Sequence, residues 1–355
     1  MVCSEKPSEP FNGNGANMIR CLNLTKGDAL SNMNSQLTKT IAIIVLIIGL
    51  AFLPRLISDY WVYVLTLAFF YTVMAASWNL LGGYTGQFSL AHHTFAMFGA
   101  YGSALLMAKA GAPFWVSIPV VILLTMIVSA VLGALCLRVQ GLYLALITWA
   151  FAEVCRNYVR LHYSFTGGDR GMDAPLLFET MKPLPYYYLF LVVAVVSIAF
   201  IALVMKSRVG FYLRAIRDDS IAARSMGVDI VRYKIVAFML ASGIAGMAGA
   251  FYGHSIGLIS PIMGDFNEMA MIIIFVVIGG MRTQAGPVVG ALSVRYLMEL
   301  LREHAEIRIV ILSAIVILVM RFYNGGLMEL WRRLTKRFGP KSDGPVSAYE
   351  DDENG

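Results

Sequence analysis

Two pairs of opposite charges sit inside otherwise apolar stretches of this chain. Glu153 and Arg156 are three residues apart, and Arg295 and Glu299 are four apart. Both spacings place the partners on one face of a helix. Charge in hydrocarbon is costly, so such groups pair with one another or face an aqueous interior. Each pair reads either as a structural ion pair, which asks less of the sequence, or as a ligand for a polar solute. A third polar set lies in LGGYTGQFSLAHHTFAMFGAY, residues 81–101, where Gly82, Gly83 and Gly86 interrupt an apolar run and Thr85, Gln87, Ser89 and His92 supply polar side chains. Glycines weaken a helix and free backbone polar groups. At membrane depth those groups are tolerable only when buried in protein or lining a wet cavity. Two readings stand side by side: a broken helix lining a solute path, or a turn followed by tight packing through small residues.

No residue set points to catalysis. The chain contains no G-x-x-x-x-G-K-[ST], no H-E-x-x-H and no G-x-S-x-G, so phosphate cradling, zinc hydrolysis and acyl transfer lack their usual residues. Cys3, Cys21, Cys136 and Cys155 are scattered without metal spacing and read as free thiols. Neither a metal nor a cofactor is expected in this chain. His254 and His304 have no partner spacing and read as solvated or locally hydrogen-bonded near one surface.

With 58% apolar residues, 14% charged residues and a mean hydropathy of +0.69, the chain reads as an all-α, polytopic membrane protein. Ten apolar segments are drawn: 40–57, 60–81, 91–109, 114–137, 142–159, 186–205, 235–254, 266–280, 286–301 and 307–320. The third and eighth are the ones expected to be short or re-entrant, and glycines break several. The net charge of +6 flanks these segments, so it reads as topology rather than as a nucleic-acid surface. Residues 1–39 lack the order of a cleavable leader and read as a polar, disordered cytoplasmic tail. Residues 40–322 form the membrane portion, and 323–355 a second cytoplasmic tail. An even count with both termini inside puts Arg138, the loop 206–234, Arg282 and the basic tail on the cytoplasmic face. Residues 161–185 then fall outside.

The loop 206–234, KSRVGFYLRAIRDDSIAARSMGVDIVRYK, carries seven Lys/Arg against three Asp. Within it, residues 218–227 read as a short helix with an Asp at its start, Arg224 near its end and Gly227 as its stop. A connector held inside by its charge accounts for the composition. The pattern Ile221-Ala222-Ala223-x-x-x-Gly227 points further. On the outer side, Thr166, Gly167, Gly168 and Asp169 form a turn-rich stretch that needs no function, yet its placement also suits contact with another protein.

In order along the chain, GYTGQFSLAHHTF (83–95), GAY (99–101), LALITWAFAEVCR (144–156), FTGGDRG (165–171), LRAIRDDSIAARSMGVDIVRYKIVAF (213–238), GLISP (257–261) and GGMRTQAGPVVGA (279–291) resemble the M-type permease subunits of branched-chain amino acid ABC importers. The resemblance runs from about residue 78 to 327. It implies a subunit of a bacterial inner-membrane importer, with ATP hydrolysis on separate ATPase subunits, a second related permease, and an extracytoplasmic solute-binding protein. It implies docking of the ATPase through Arg217, Asp218, Ala222, Ala223, Arg224 and Gly227, a solute path near residues 83–92, and binding-protein contact near 166–169. Three departures are visible. Ala91 stands where the family usually has Gly, Ser220 where an acidic residue is frequent, and Arg282 where the inner turn usually has Gly. Related permeases also carry urea and short amides. A stand-alone carrier driven by an ion gradient is the rival from another class, and the buried charge pairs would suit it.

Overall fold

The computed structural model describes residues 41–42, 44–136, 139, 141–178, 180, 182–322 and 325–330. The tail 1–39, most of 323–355, and Arg138 lie outside the described residues. Among the described residues every regular element is helical except one two-residue antiparallel bridge, β1 (Met172–Asp173) with β2 (Leu258–Ile259). The chain divides at Ser58 into two units. The first contains α1 (Ile44–Arg55), an apolar helix whose last turn tightens at Leu53–Arg55, with Pro54 in that turn.

The second unit is built around α2 (Asp59–Thr85), whose apolar window is 83% buried, against 33% for α4 (Phe114–Cys136) and 39% for α7 (Pro183–Lys206). Those numbers set α2 at the centre and α4 and α7 at the rim. α2, α4, α7 and α10 (Ile230–Ile256) are each long and apolar enough to cross a membrane. The remaining apolar segments appear as α3 (His92–Ala110), α5 (Leu142–Leu161), α11 (Phe266–Gly279), α12 (Gly286–Leu300) and α13 (Ala305–Phe322). All ten expected segments are therefore helices. The protein is an all-α, multi-pass membrane protein.

α11 and α12 are short. At 14 and 15 residues they reach about 21–22 Å at 1.5 Å per residue, less than the roughly 30 Å of hydrocarbon. They pack as an antiparallel pair, close enough that a Cβ on Gly290 would lie 1.9 Å from the Phe275 carbonyl oxygen. Residues 325–330, the start of the expected C-terminal tail, pack at the turn of this pair, with the Gly325 carbonyl against Gly280.

Small residues draw α10 onto its neighbours. A Cβ on Gly99 of α3 would meet the Gly246 carbonyl at 1.9 Å, and one on Gly249 would meet the Ala96 carbonyl at the same distance. On α4, Ser129 pairs with Ser242 of α10 through a 2.6 Å hydrogen bond.

Three expectations are corrected by this packing. Gly82 and Gly83 do not interrupt α2, which continues to Thr85 and breaks at Gly86, where φ is +70°. The basic stretch 206–234 holds more than the one short helix expected: α9 (Ser220–Ser225) is that helix, and α8 (Arg208–Asp218) precedes it, separated by Asp219. His254 is neither solvated nor at the surface. It is fully buried, with Nδ1 2.7 Å from the Pro175 carbonyl oxygen and Nε2 3.0 Å from the Ser103 hydroxyl.

Candidate functional site

The α8–α9 projection is fixed from both ends. α8 buries Gly210, Leu213 and Ile216, a three-residue repeat that lays one face on the helical body. Arg214 donates to the Met205 carbonyl at 3.2 Å, satisfying an end group of α7. Asp219 then caps α9, accepting from the backbone N–H of Ile221 at 2.8 Å and of Ala222 at 3.0 Å. At the other end Gly227 takes φ +81°, its N–H donates to the Arg224 carbonyl, and the Val228 N–H donates to that of Ala223. This doubly bonded stop needs the left-handed conformation that glycine adopts without cost. The helix start is thus Asp219 rather than Asp218, and the stop is Gly227 as the sequence indicates.

The six residues expected to dock a partner divide into two groups. Asp218, Ala222, Arg224 and Gly227 are exposed. Ala223 is buried, packing with Ile216 and Ile230 in a small apolar cluster that closes the α9 turn. Arg217 is turned inward, donating to the Gly83 carbonyl at 3.1 Å and to the Asp218 carboxylate at 2.7 Å. Ile221, the first residue of the pattern, and Met226, which sequence reasoning passed over, stand 78% and 85% exposed on the same short projection. Two large apolar side chains thus stand in the open on a capped helix.

Beside this projection lies the break between α2 and α3. Thr85, Gln87, Ser89 and His92 are buried, as is Gly83, while Gly86 is exposed. The freed backbone is satisfied by protein: Trp78 Nε1 donates to the Ser89 carbonyl at 2.8 Å, and the Leu90 N–H donates to Thr148 Oγ1 at 2.9 Å. His92 Nε2 lies 2.7 Å from the Ser77 hydroxyl. The Gln87 side-chain nitrogen is buried without a hydrogen-bond partner. Asn79, which the sequence reading did not single out, fastens this break to the α11–α12 turn. It donates to the Thr283 carbonyl at 3.0 Å and accepts from the Arg282 N–H at 3.2 Å. Arg282 has φ +72° and is the one non-glycine residue with positive φ among the described residues.

At the opposite end, Thr166 and Gly168 are buried while Asp169 is exposed. The Thr166 hydroxyl donates to the Val159 carbonyl at 2.6 Å. Arg160 grips Asp169 with two hydrogen bonds, 2.6 and 3.1 Å. That hydrogen bond from Arg160 holds the Asp169 carboxyl below its ordinary pKa. Gly171 lies against β2, where an added Cβ would sit 2.4 Å from the Ile259 carbonyl oxygen.

Both charge pairs form, and each is part of a larger set. Arg156 reaches Glu153 at 2.7 Å and Asp265, the residue before α11, at 3.5 Å. Arg295 lies 3.5 Å from Glu299, which also meets Arg302 at 3.6 Å and accepts a hydrogen bond from Tyr60. A polar cluster the sequence did not reveal joins α2, α3 and α11: the Tyr71 hydroxyl donates to Glu268 at 2.7 Å, and His93 Nε2 lies 4.0 Å from the same carboxylate oxygen. The only sequence signal was an acid in the first turn of an apolar helix, which dipole compensation alone explains.

The chain is a multi-pass helical membrane protein with a charged, capped projection at one end. It belongs to the family of branched-chain amino acid transport system permease components, whose model matches residues 60–321. It is 28% identical over 322 residues to the high-affinity branched-chain amino acid transport system permease protein LivM of Escherichia coli K12, covering 83% of this chain and 76% of that one. LivM of Salmonella typhimurium LT2 is 28% identical over 315 residues, with 81% and 74% covered. LivH of the same Salmonella strain is 24% identical over 293 residues, with 74% and 92% covered. No solved structure matches. The chain is thus a permease subunit of the ABC importer type.

Proposed function

We propose that this subunit carries branched-chain amino acids, or closely similar zwitterions, inward across a bacterial inner membrane on energy supplied by separate ATPase subunits. The α8–α9 projection carries the reading. Its α9 is capped at both ends and presents Ile221, Ala222, Arg224 and Met226 to a partner, and its α8 is tied through Arg217 to the last turn of α2. The seven basic residues of 206–234 put this end in the cytoplasm, with both chain termini. An ATPase that closes around α9 then pushes on α2, α7 and α10 together, since α8 and α9 are continuous with α7 and α10 and bonded to α2. Such rigid-body rocking switches access from one side to the other without any catalytic residue in this chain.

A second, related permease completes the path, and a solute-binding protein delivers cargo near Asp169, on the outer face. Residues 83–92 sit between the projection and the α11–α12 turn and act as the hinge of this path. Purification in mild detergent from native membranes tests the assembly. Two ATPase chains and a second permease should co-purify, and the reconstituted complex should move leucine only with ATP. A lone chain whose uptake follows an ion gradient would overturn the reading.

A further inference from the structure

Two kinds of surface run along the membrane-spanning helices. α4 and α7 expose bare aliphatic side chains, among them Leu123, Ile127, Val131, Val192, Val196 and Leu203, as lipid contact requires. The face shared by α2, α11 and α12 carries Tyr60, Tyr63, Glu268 and Arg295 instead. Tyr71 is close to the middle of the 27-residue α2, about 18 Å from one end and 21 Å from the other at 1.5 Å per residue. Its partner Glu268 therefore lies well inside the hydrocarbon layer, with its side chain 35% exposed. A carboxylate open at that depth faces water or protein, not lipid.

Glu268 forms one wall of a 230 Å³ cavity whose other walls include Phe70, Tyr71, His93, Tyr252 and Met263. The rings of Phe70 and Tyr252 stack at 4.2 Å, and both also line an adjoining 280 Å³ cavity. His93, with only 5% of its side chain exposed, lines the first cavity, and its Nδ1 has no hydrogen-bond partner. Arg295, whose Nε is likewise buried without one, pairs with Glu299 and lines a separate cavity with Tyr60 and Tyr63. One carboxylate set among aromatic and aliphatic side chains is complementary to an ammonium group that carries an apolar side chain.

We propose that this cavity is a solute station within the membrane, where Glu268 takes the ammonium group of an amino acid and the stacked Phe70–Tyr252 pair lies against its apolar side chain. The inference rests on the transport reading above and names the residues that serve it. Tyr71 holds the carboxylate in place as a positioning residue. The alternative is that Glu268 only locks α11 to α2 through Tyr71. Glu268→Gln separates the two, because glutamine still accepts that hydrogen bond but carries no charge.

The test uses the full complex in proteoliposomes with leucine as probe. E268Q should lower ATP-driven leucine uptake at least about tenfold, the scale for loss of a buried charge partner, with assembly and ATP hydrolysis within twofold of the unaltered complex. Glu268→Asp should restore part of the uptake. Leucine uptake by E268Q within twofold of normal would overturn the proposal. If E268Q does not assemble, Tyr252→Ala decides. It must change the ratio of leucine to valine uptake at least threefold, and an unchanged ratio overturns the apolar half of the station. An unaltered complex that moves no leucine on ATP removes the transport reading itself, and this inference with it.

Discussion

Arg217 on α8 donates a hydrogen bond of 3.1 Å to the carbonyl oxygen of Gly83, a residue of the last turn of α2. Near its C-terminus a helix leaves carbonyls without intrahelical partners and carries partial negative charge, so a guanidinium is well matched to that end. The contact joins the one projecting element to the most buried helix. On the proposed mechanism, Arg217 would transmit movement from α8 to α2 in addition to any part it takes in docking.

Arg217→Ala separates these roles. A hydrogen bond from a charged group is worth about 1.5–3 kcal/mol, and its loss should let α8 move without α2. ATPase subunits should still co-purify and hydrolyse ATP, while leucine moved per ATP falls about fivefold or more. Loss of ATPase binding would make Arg217 a docking residue instead, and unchanged coupling would remove the relay.

Neighbouring alanines on α9 should respond in opposite ways. Ala223 is inside the turn against Ile216 and Ile230, whereas Ala222 is exposed. Ala223→Glu buries an unpaired charge, which costs several kcal/mol, so the projection should unfold locally and become sensitive to protease. Ala222→Glu should leave the projection intact and weaken ATPase binding alone. Limited proteolysis of both variants, beside co-purification, reads the difference. Equal protease resistance would contradict the inward placement of Ala223.

How much of this was legible in the sequence depends on distance along the chain. The ten apolar segments, the Asp cap and Gly stop of α9, and the ion pairs at spacings of three and four are local patterns, and all are found. The inward turn of Ala223 is not local, because a six-residue helix is too short for its apolar period to show which face packs. His254 was misread for a similar reason: its partners Ser103 and Pro175 lie 151 and 79 residues away. The Tyr71–Glu268 bond spans 197 residues. The turn at Arg282, where the resemblance leads one to expect Gly, has the left-handed backbone that glycine adopts at less cost.

Arg282→Gly should stabilise the protein. A left-handed backbone at a residue with a Cβ costs about 1–2 kcal/mol, and the N–H bond to Asn79 is a backbone bond that glycine keeps. Glycine's extra freedom in the unfolded chain offsets part of the gain. A rise of about 1–3 °C in the melting temperature of purified protein is expected. A fall would show that the Arg282 side chain contributes more than its backbone costs.

The α3–α10 seam yields the largest expected loss. At Gly249 a Cβ would lie 1.9 Å from the Ala96 carbonyl oxygen, inside any permitted contact, and the obstacle is backbone that cannot rotate away. Gly249→Ala must therefore push the two helices apart and open the interior between them. At Gly133 of α4 the same substitution meets only side-chain atoms, 3.6–3.7 Å away, and replaces a poor helix former with the best one. Overpacking typically costs about 1–3 kcal/mol, occasionally more, and a seam closed by backbone on both sides belongs at the upper end. G249A should yield little folded protein by gel filtration and a melting temperature lower by several degrees. G133A should match or exceed the parent in both. Equal behaviour of the two variants would mean that α3 and α10 can separate without loss, and that their close approach does not hold the fold together.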